Sequence, residues 1–324
     1  MIGKLRAPTL ILLGGISDRL GRKKTILASL LLATLATFLV VPYPNIYALF
    51  VTRVLQGIAI GLMMGTGTAY LSALMPQKST AVAAIVSLTT ALGFSSGALF
   101  TNTVLLYQDS LVPISYWVIF FLLLGSIGLS IQLPEQPTLK EKLIRLPSFP
   151  KGTVSVGIAI ALAWSLAGIV GIILPEQLQQ YGLPNWSGAM LFIFVISGVL
   201  IQSLARKLEA RRSLQLGSIL LVIGYLTFTC GAWLNIFGLV IAGVAIAGTA
   251  CYGFTYLGGL AQVVKIAGSQ SARVTSGYFV CAYLGYGLPV IAIGFLAENL
   301  GTIYTLFSFG AILTISNILL FTKH

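Results

Sequence analysis

Gly14-Gly15-Ile16-Ser17-Asp18-Arg19-Leu20-Gly21-Arg22-Lys23-Lys24 is a compact, positively charged stretch with long apolar runs on both sides. Lipid does not solvate charge. A turn of this kind therefore belongs at a membrane face, and the runs beside it belong in the bilayer.

The bulk composition agrees. Of 324 residues, 57% are hydrophobic and only 8% are charged, and the mean hydropathy is +0.98. A soluble protein carries about 25% charged residues. The expected fold class is an all-α polytopic membrane protein. The net charge of +12 would suit a nucleic-acid partner if it were spread over a surface. Instead Lys and Arg fall almost only in short connections on one side, as the positive-inside rule requires. The cations report topology, and the expected partner is the lipid bilayer and its anionic lipids, not nucleic acid.

Enzymatic readings fail on inventory. The one histidine is His324, the last residue, and there is no His-Glu-x-x-His and no Gly-x-x-x-x-Gly-Lys-Ser/Thr phosphate loop. Cys230, Cys251 and Cys281 lie inside apolar runs at spacings that fit no metal motif, so they read as packing residues. No metal and no cofactor is expected. A channel would need a carbonyl filter or an acidic ring, and neither pattern is present.

Apolar spans are expected at 26–41, 46–74, 81–107 and 113–133. A polar, proline-bearing connection follows at 134–152, and further spans at 153–174, 187–204, 214–233, 236–260, 274–297 and 303–321. The run at 1–17 is apolar but short of the ~20 residues a span needs. The domain reading is an N-terminal bundle at 1–133, a cytoplasmic linker at 134–152 and a C-terminal six-helix bundle at 153–324. Basic loops alternate with loops holding Asp109, Glu176 and Glu298. The basic loops and the C-terminus are thus expected on the cytoplasmic side of a multi-pass protein of the cell (inner) membrane.

The spacing Gly-x-x-x-Asp-Arg-x-Gly-Arg-Lys, carried by Gly14, Asp18, Arg19, Gly21, Arg22 and Lys23, resembles the loop between the second and third helices of the major facilitator superfamily of secondary transporters. Ser203 to Arg212 echoes its basic cluster weakly in the second half. The resemblance implies two pseudo-symmetric helix bundles with the substrate site between them. It gives Asp18 a gating role, as an anion meeting a helix N-terminus in one state. It also makes 1–17 the family's second helix, clipped, with about 11 of 12 helices present. The chain is then expected to begin late, through a misplaced start or a true truncation. An amphipathic anchor is the alternative.

Arg53 lies seven residues into an expected span, roughly 10 Å along it at 1.5 Å per residue. A cation there costs about 2.5–3.5 kcal/mol at a helix centre and persists best facing a polar cavity. Gln56 follows on the same side of the helix. Arg53-Val54-Leu55-Gln56-Gly57 resembles the family's fourth-helix Arg-x-x-Gln-Gly. In proton-coupled members that Arg serves proton exchange and substrate binding. The alternative is an Arg that snorkels to the headgroups.

Gly57, Gly61 and Gly65, and Gly93 and Gly97, repeat at four-residue steps and read as helix-packing stripes. Gly93-Phe94-Ser95-Ser96-Gly97-Ala98 resembles the Gly-x-x-x-Gly-Pro signature of proton-driven exporters, with Ala98 in place of the Pro. Gly285 and Pro289 mark the corresponding second-half helix, where Pro289 removes a backbone hydrogen bond. Asn102, Tyr252, Tyr256, Tyr283 and Tyr286 are candidate cavity-lining residues, with ordinary packing as the rival reading.

The function these patterns imply is secondary transport of a small organic solute by alternating access, coupled to protons, in a monomer. Efflux of a drug or metabolite by antiport leads. Uptake by symport is one alternative, and a truncated, non-transporting homologue with a binding or assembly role is another.

Overall fold

The computed structural model describes residues 20–77, 79–108, 110–136, 147–267 and 271–322. Ten long helical segments follow one another, and no strand occurs among the described residues. They are α1 (Arg22–Val40), α2 (Ile46–Leu74), α3 (Ser79–Leu105), α4 (Ile114–Ile131) and α5 (Thr153–Gln180). The second series is α6 (Ser187–Ala205), α7 (Ala210–Leu234), α8 (Phe237–Ala267), α9 (Ser271–Leu300) and α10 (Thr302–Thr322). Nine helices among the described residues are long and apolar enough to cross a membrane, and α3 is 27 residues long. That is fewer than the eleven segments the sequence implies. The run at 1–17, counted as one of them, lies outside the described residues.

Local chemistry sets the helix ends. Gly21, at φ 99°, caps α1 in a conformation that Cβ-bearing residues rarely adopt, and Thr25 Oγ1 returns a 3.0 Å bond to its carbonyl. Asn45 caps α2, its side-chain oxygen accepting from the Ala48 N–H at 2.9 Å. Val40 and Val41 meet Pro42, which cannot continue a helix.

The chain packs as two compact units. The first comprises Met1–Thr90 and Val104–Pro147. Here α1 packs on both α2 and α4, around Ile26, Leu30 and Tyr70. Thr52 Oγ1 donates to the Ala36 carbonyl at 3.1 Å, so α2 and α1 touch at backbone range. Much of α4 faces outward, with Phe121, Leu122 and Leu129 all more than 60% exposed. Water penalises such a surface and lipid does not.

The second unit comprises Ala91–Thr103 and Ser148–His324. Its core holds Ile160, Leu166, Phe194, Tyr225, Phe228, Val244, Leu306 and Leu313. The closest pairs are α5 with α9 and α7 with α8. Small residues allow the approach. A Cβ on Gly285 would meet the Ala161 carbonyl, and one on Gly243 would meet the Phe228 backbone.

Two elements depart from the sequence expectation. The helix expected to end at 174 runs through Pro175 to Gln180. Proline is tolerated inside a membrane helix where the freed carbonyl can be re-satisfied, and Gly171, one turn earlier, has open space beside it. The span expected at 236–260 is longer, and its middle, Thr249–Thr255, is π-helical. Neither feature alters the hydrophobic pattern.

Candidate functional site

In the first unit the described part of the basic motif forms a tie. Arg22 Nη1 donates to the Ala69 carbonyl at 3.1 Å and to Gln136 Oε1 at 2.8 Å. Tyr70 donates its hydroxyl to the Pro134 carbonyl at 2.9 Å, and Gln136 Nε2 reaches the Tyr70 carbonyl at 3.4 Å. One guanidinium thus joins the start of α1, the end of α2 and the chain leaving α4. Its planar fork suits two acceptors at once, which an ammonium point charge does less well. Lys23 beside it is half-buried. Gly14, Asp18 and Arg19 lie outside the described residues.

Arg53 lies within α2, half-buried, with Nη1 3.0 Å from Gln56 Oε1. The i, i+3 spacing read from sequence brings the two side chains together. Among the described residues every other Lys and Arg stands at or near a helix end. Gly57 and Gly61 are buried in the same helix. Among the described residues, Gly65, Gly93 and Gly97 have no neighbour within 4 Å of the place a Cβ would take. Gly285 packs tightly, and Pro289 sits inside α9 one turn further on.

In the second unit three of the named tyrosines gather around a residue the sequence reading did not single out, Trp164 of α5. Its ring lies 5.3 Å from Tyr283, edge-on, 6.3 Å from Tyr252 and 6.4 Å from Tyr286. Phe194 of α6 closes on Tyr252 at 5.9 Å. Tyr256 lies further along α8 against Phe279, at 6.1 Å. The Trp164 Nε1 is buried and has no hydrogen-bond partner among the described residues. An idle buried donor costs about 1–3 kcal/mol. A mid-span Trp was the one available sequence signal, and it does not distinguish a core ring from a binding ring.

The π-helical stretch explains how Tyr252 is presented. Widening a helix by one residue per turn misaligns its carbonyls, and neighbouring helices supply donors to them. Gln202 of α6 bonds the Tyr252 carbonyl at 3.2 Å, and Ser213 of α7 bonds that of Phe254 at 3.0 Å. Tyr278 of α9 bonds those of Thr255 and Tyr256 at 3.2 and 3.1 Å. Three helices therefore hold α8 open at the position that carries Tyr252.

Asn102 is 8% exposed and does not line the aromatic group. Its side-chain oxygen accepts from the Gly188 N–H in the first turn of α6, and its Nδ2 donates to the Asn185 carbonyl. It is a cap supplied from α3, satisfying amides that a helix start leaves unpaired.

Among the described residues all regular structure is helical, nine helices are long and apolar enough to span a membrane, and every Lys and Arg except Arg53 stands at or near a helix end; this is a multi-pass membrane protein. The Major Facilitator Superfamily profile matches residues 3–288. The chain belongs to that superfamily and is a transporter, not an enzyme. The structure is similar to that of the human organic anion transporter MFSD10 (TETRAN), with a TM-score of 0.66, 18% identity, and coverage of 98% of this chain and 82% of that one. It is also similar to a D-xylose-proton symporter, with a TM-score of 0.72, 14% identity, and coverage of 98% and 85%. At these identities the likeness is one of fold. No curated protein matches the sequence.

Proposed function

We propose that this secondary transporter exports a small organic solute with an aromatic or apolar face, in exchange for protons, by alternating access. The observation that carries the solute class is the Trp164 group. Rings from α5, α8 and α9 offer apolar faces, and one unpaired indole N–H supplies the polar contact that fixes orientation. Proton coupling rests on the Arg53–Gln56 pair and its resemblance to the proton-coupled fourth-helix motif. Export rests on the resemblance of 93–98 to the exporter signature. Ala98 in place of the signature proline favours a second reading, proton-driven uptake of a metabolite.

The sign of the driving gradient separates the two. Proteoliposomes acidic inside should accumulate an aromatic organic solute if protons leave as solute enters. Acid outside should drive no accumulation. Accumulation only with acid outside is symport and overturns the exchange. Identical accumulation with and without a gradient overturns proton coupling in either form.

A further inference from the structure

A cavity of about 280 Å³ lies within the second unit, where α5 and α7 begin and α8 and α10 finish. None of the rings around Trp164 lines it. Its polar lining is Ser155, Arg211, Gln215, Ser218 and Gln262, and Val156, Leu214 and Leu320 contribute apolar wall. Each of the five polar side chains can donate a hydrogen bond, and no carboxylate is among the described lining residues.

Ser218 is 8% exposed, and neither it nor Gln215 or Gln262 has a side-chain hydrogen bond to another described residue. Buried polar groups in folded proteins are nearly always paired. Ser218 is the buried one here, and Gln215 and Gln262, half-buried and likewise without a side-chain bond to a described residue, converge with it on one cavity beside the exposed Arg211 guanidinium; together they point to a ligand that supplies acceptors.

The electrostatics specify its sign. Lys151, Arg206, Lys207, Arg212 and Lys265 stand at this same end of the bundle, against Glu209. Both α5 and α7 start here without a side-chain cap, so their partial positive charges add to the field. The volume lies just below the range that engulfs a drug-sized molecule, about 300–1,000 Å³. A head group fits, with its apolar remainder left outside.

We propose that this cavity binds a phosphate-headed anion. Arg211 takes the phosphate through its planar fork, and Gln215, Ser218 and Gln262 take the ester and hydroxyl oxygens around it. The head can come from an anionic membrane phospholipid or from a soluble phosphate. The site does not depend on what the transporter carries.

The test is thermal unfolding of the full chain in detergent, titrated separately with short-chain phosphatidylglycerol, short-chain phosphatidylcholine and inorganic phosphate. Phosphatidylglycerol should raise the unfolding midpoint of the wild type and of Arg212→Ala. For Arg211→Ala and Gln262→Leu the same shift should need at least about tenfold more lipid, a factor worth about 1.4 kcal/mol. If inorganic phosphate alone reproduces the shift with the same loss in the variants, the source is soluble. Equal shifts from phosphatidylcholine, equal shifts in wild type and both cavity variants, or no shift with any probe overturn the proposal. Gln262→Leu keeps its charge balance, so it reports even if Arg211→Ala fails to fold.

Discussion

Arg53→Ala is expected to abolish proton-driven solute flux, by at least about tenfold, while the protein remains in the membrane in normal amount. Holding a guanidinium within a span opposes insertion by about 2.5–3.5 kcal/mol. Among the described residues that charge has one hydrogen-bond partner, Gln56 Oε1 at 3.0 Å, which is neutral. Nothing in this arrangement stabilises the fold enough to offset the cost, so removing the charge should not harm folding. A tenfold loss of flux corresponds to about 1.4 kcal/mol of barrier. Arg53→Lys should fall between wild type and Arg53→Ala, because it keeps the charge and loses the planar fork. Gln56→Leu should impair flux less than Arg53→Ala, since it orients the charge without supplying it. Wild-type flux in Arg53→Ala would mean that the side chain only snorkels to the headgroups.

Gly248→Ala should cost more stability than the same change at Gly253 or Gly97. Gly248 ends the first regular part of α8, and the π-helical stretch begins at the next residue. A Cβ there would collide with the Phe194 carbonyl oxygen of α6, a backbone atom that no rotamer change can move aside. Overpacking of this kind costs about 1–3 kcal/mol or more, and it outweighs the ~1 kcal/mol that Ala gains over Gly in a helix. Gly253 lies on the same approach, but its Cβ would meet first a side-chain methyl, the Ile201 Cγ2, and the nearest backbone atom, the Gly198 carbonyl oxygen, lies further off at 3.2 Å. Gly253→Ala should therefore cost less. Gly97→Ala, with open space around the added methyl, should be neutral or slightly stabilising. Midpoints of thermal unfolding in detergent should rank the three as 248 below 253 below 97. An unchanged midpoint in Gly248→Ala would show that α6 and α8 do not approach as described.

The same α6–α8 approach shows where the sequence stops being informative. The span boundaries were legible because lipid imposes a minimum apolar length. Residues 46–74 were read as one span, and α2 covers the same residues. Arg53 and Gln56 were legible because a cation inside such a span is costly and their spacing is local. The π-helical turn of α8 was not. Its carbonyls are satisfied by Gln202, Ser213 and Tyr278, which lie on three other helices, and no local pattern connects them. Trp164 was missed for a related reason. In water a helix declares its inner face by amphipathicity. A membrane helix is apolar all round, so an aromatic turned toward a site resembles one turned toward lipid. Asn102 was noted as a polar residue within a span, but its role depends on the start of α6, far away in sequence.

Trans-acceleration of solute exchange tests the central claim, a carrier that alternates access, most directly. Proteoliposomes loaded with labelled solute are diluted into buffer with or without unlabelled solute, with no pH gradient. A carrier that returns faster loaded than empty must release label faster when unlabelled solute is present outside, and Arg53→Ala should not release it in either buffer. Label efflux that is unaffected or slowed by external solute would describe a pore, and no protein-dependent efflux at all would describe a binding protein. Either result would contradict the account.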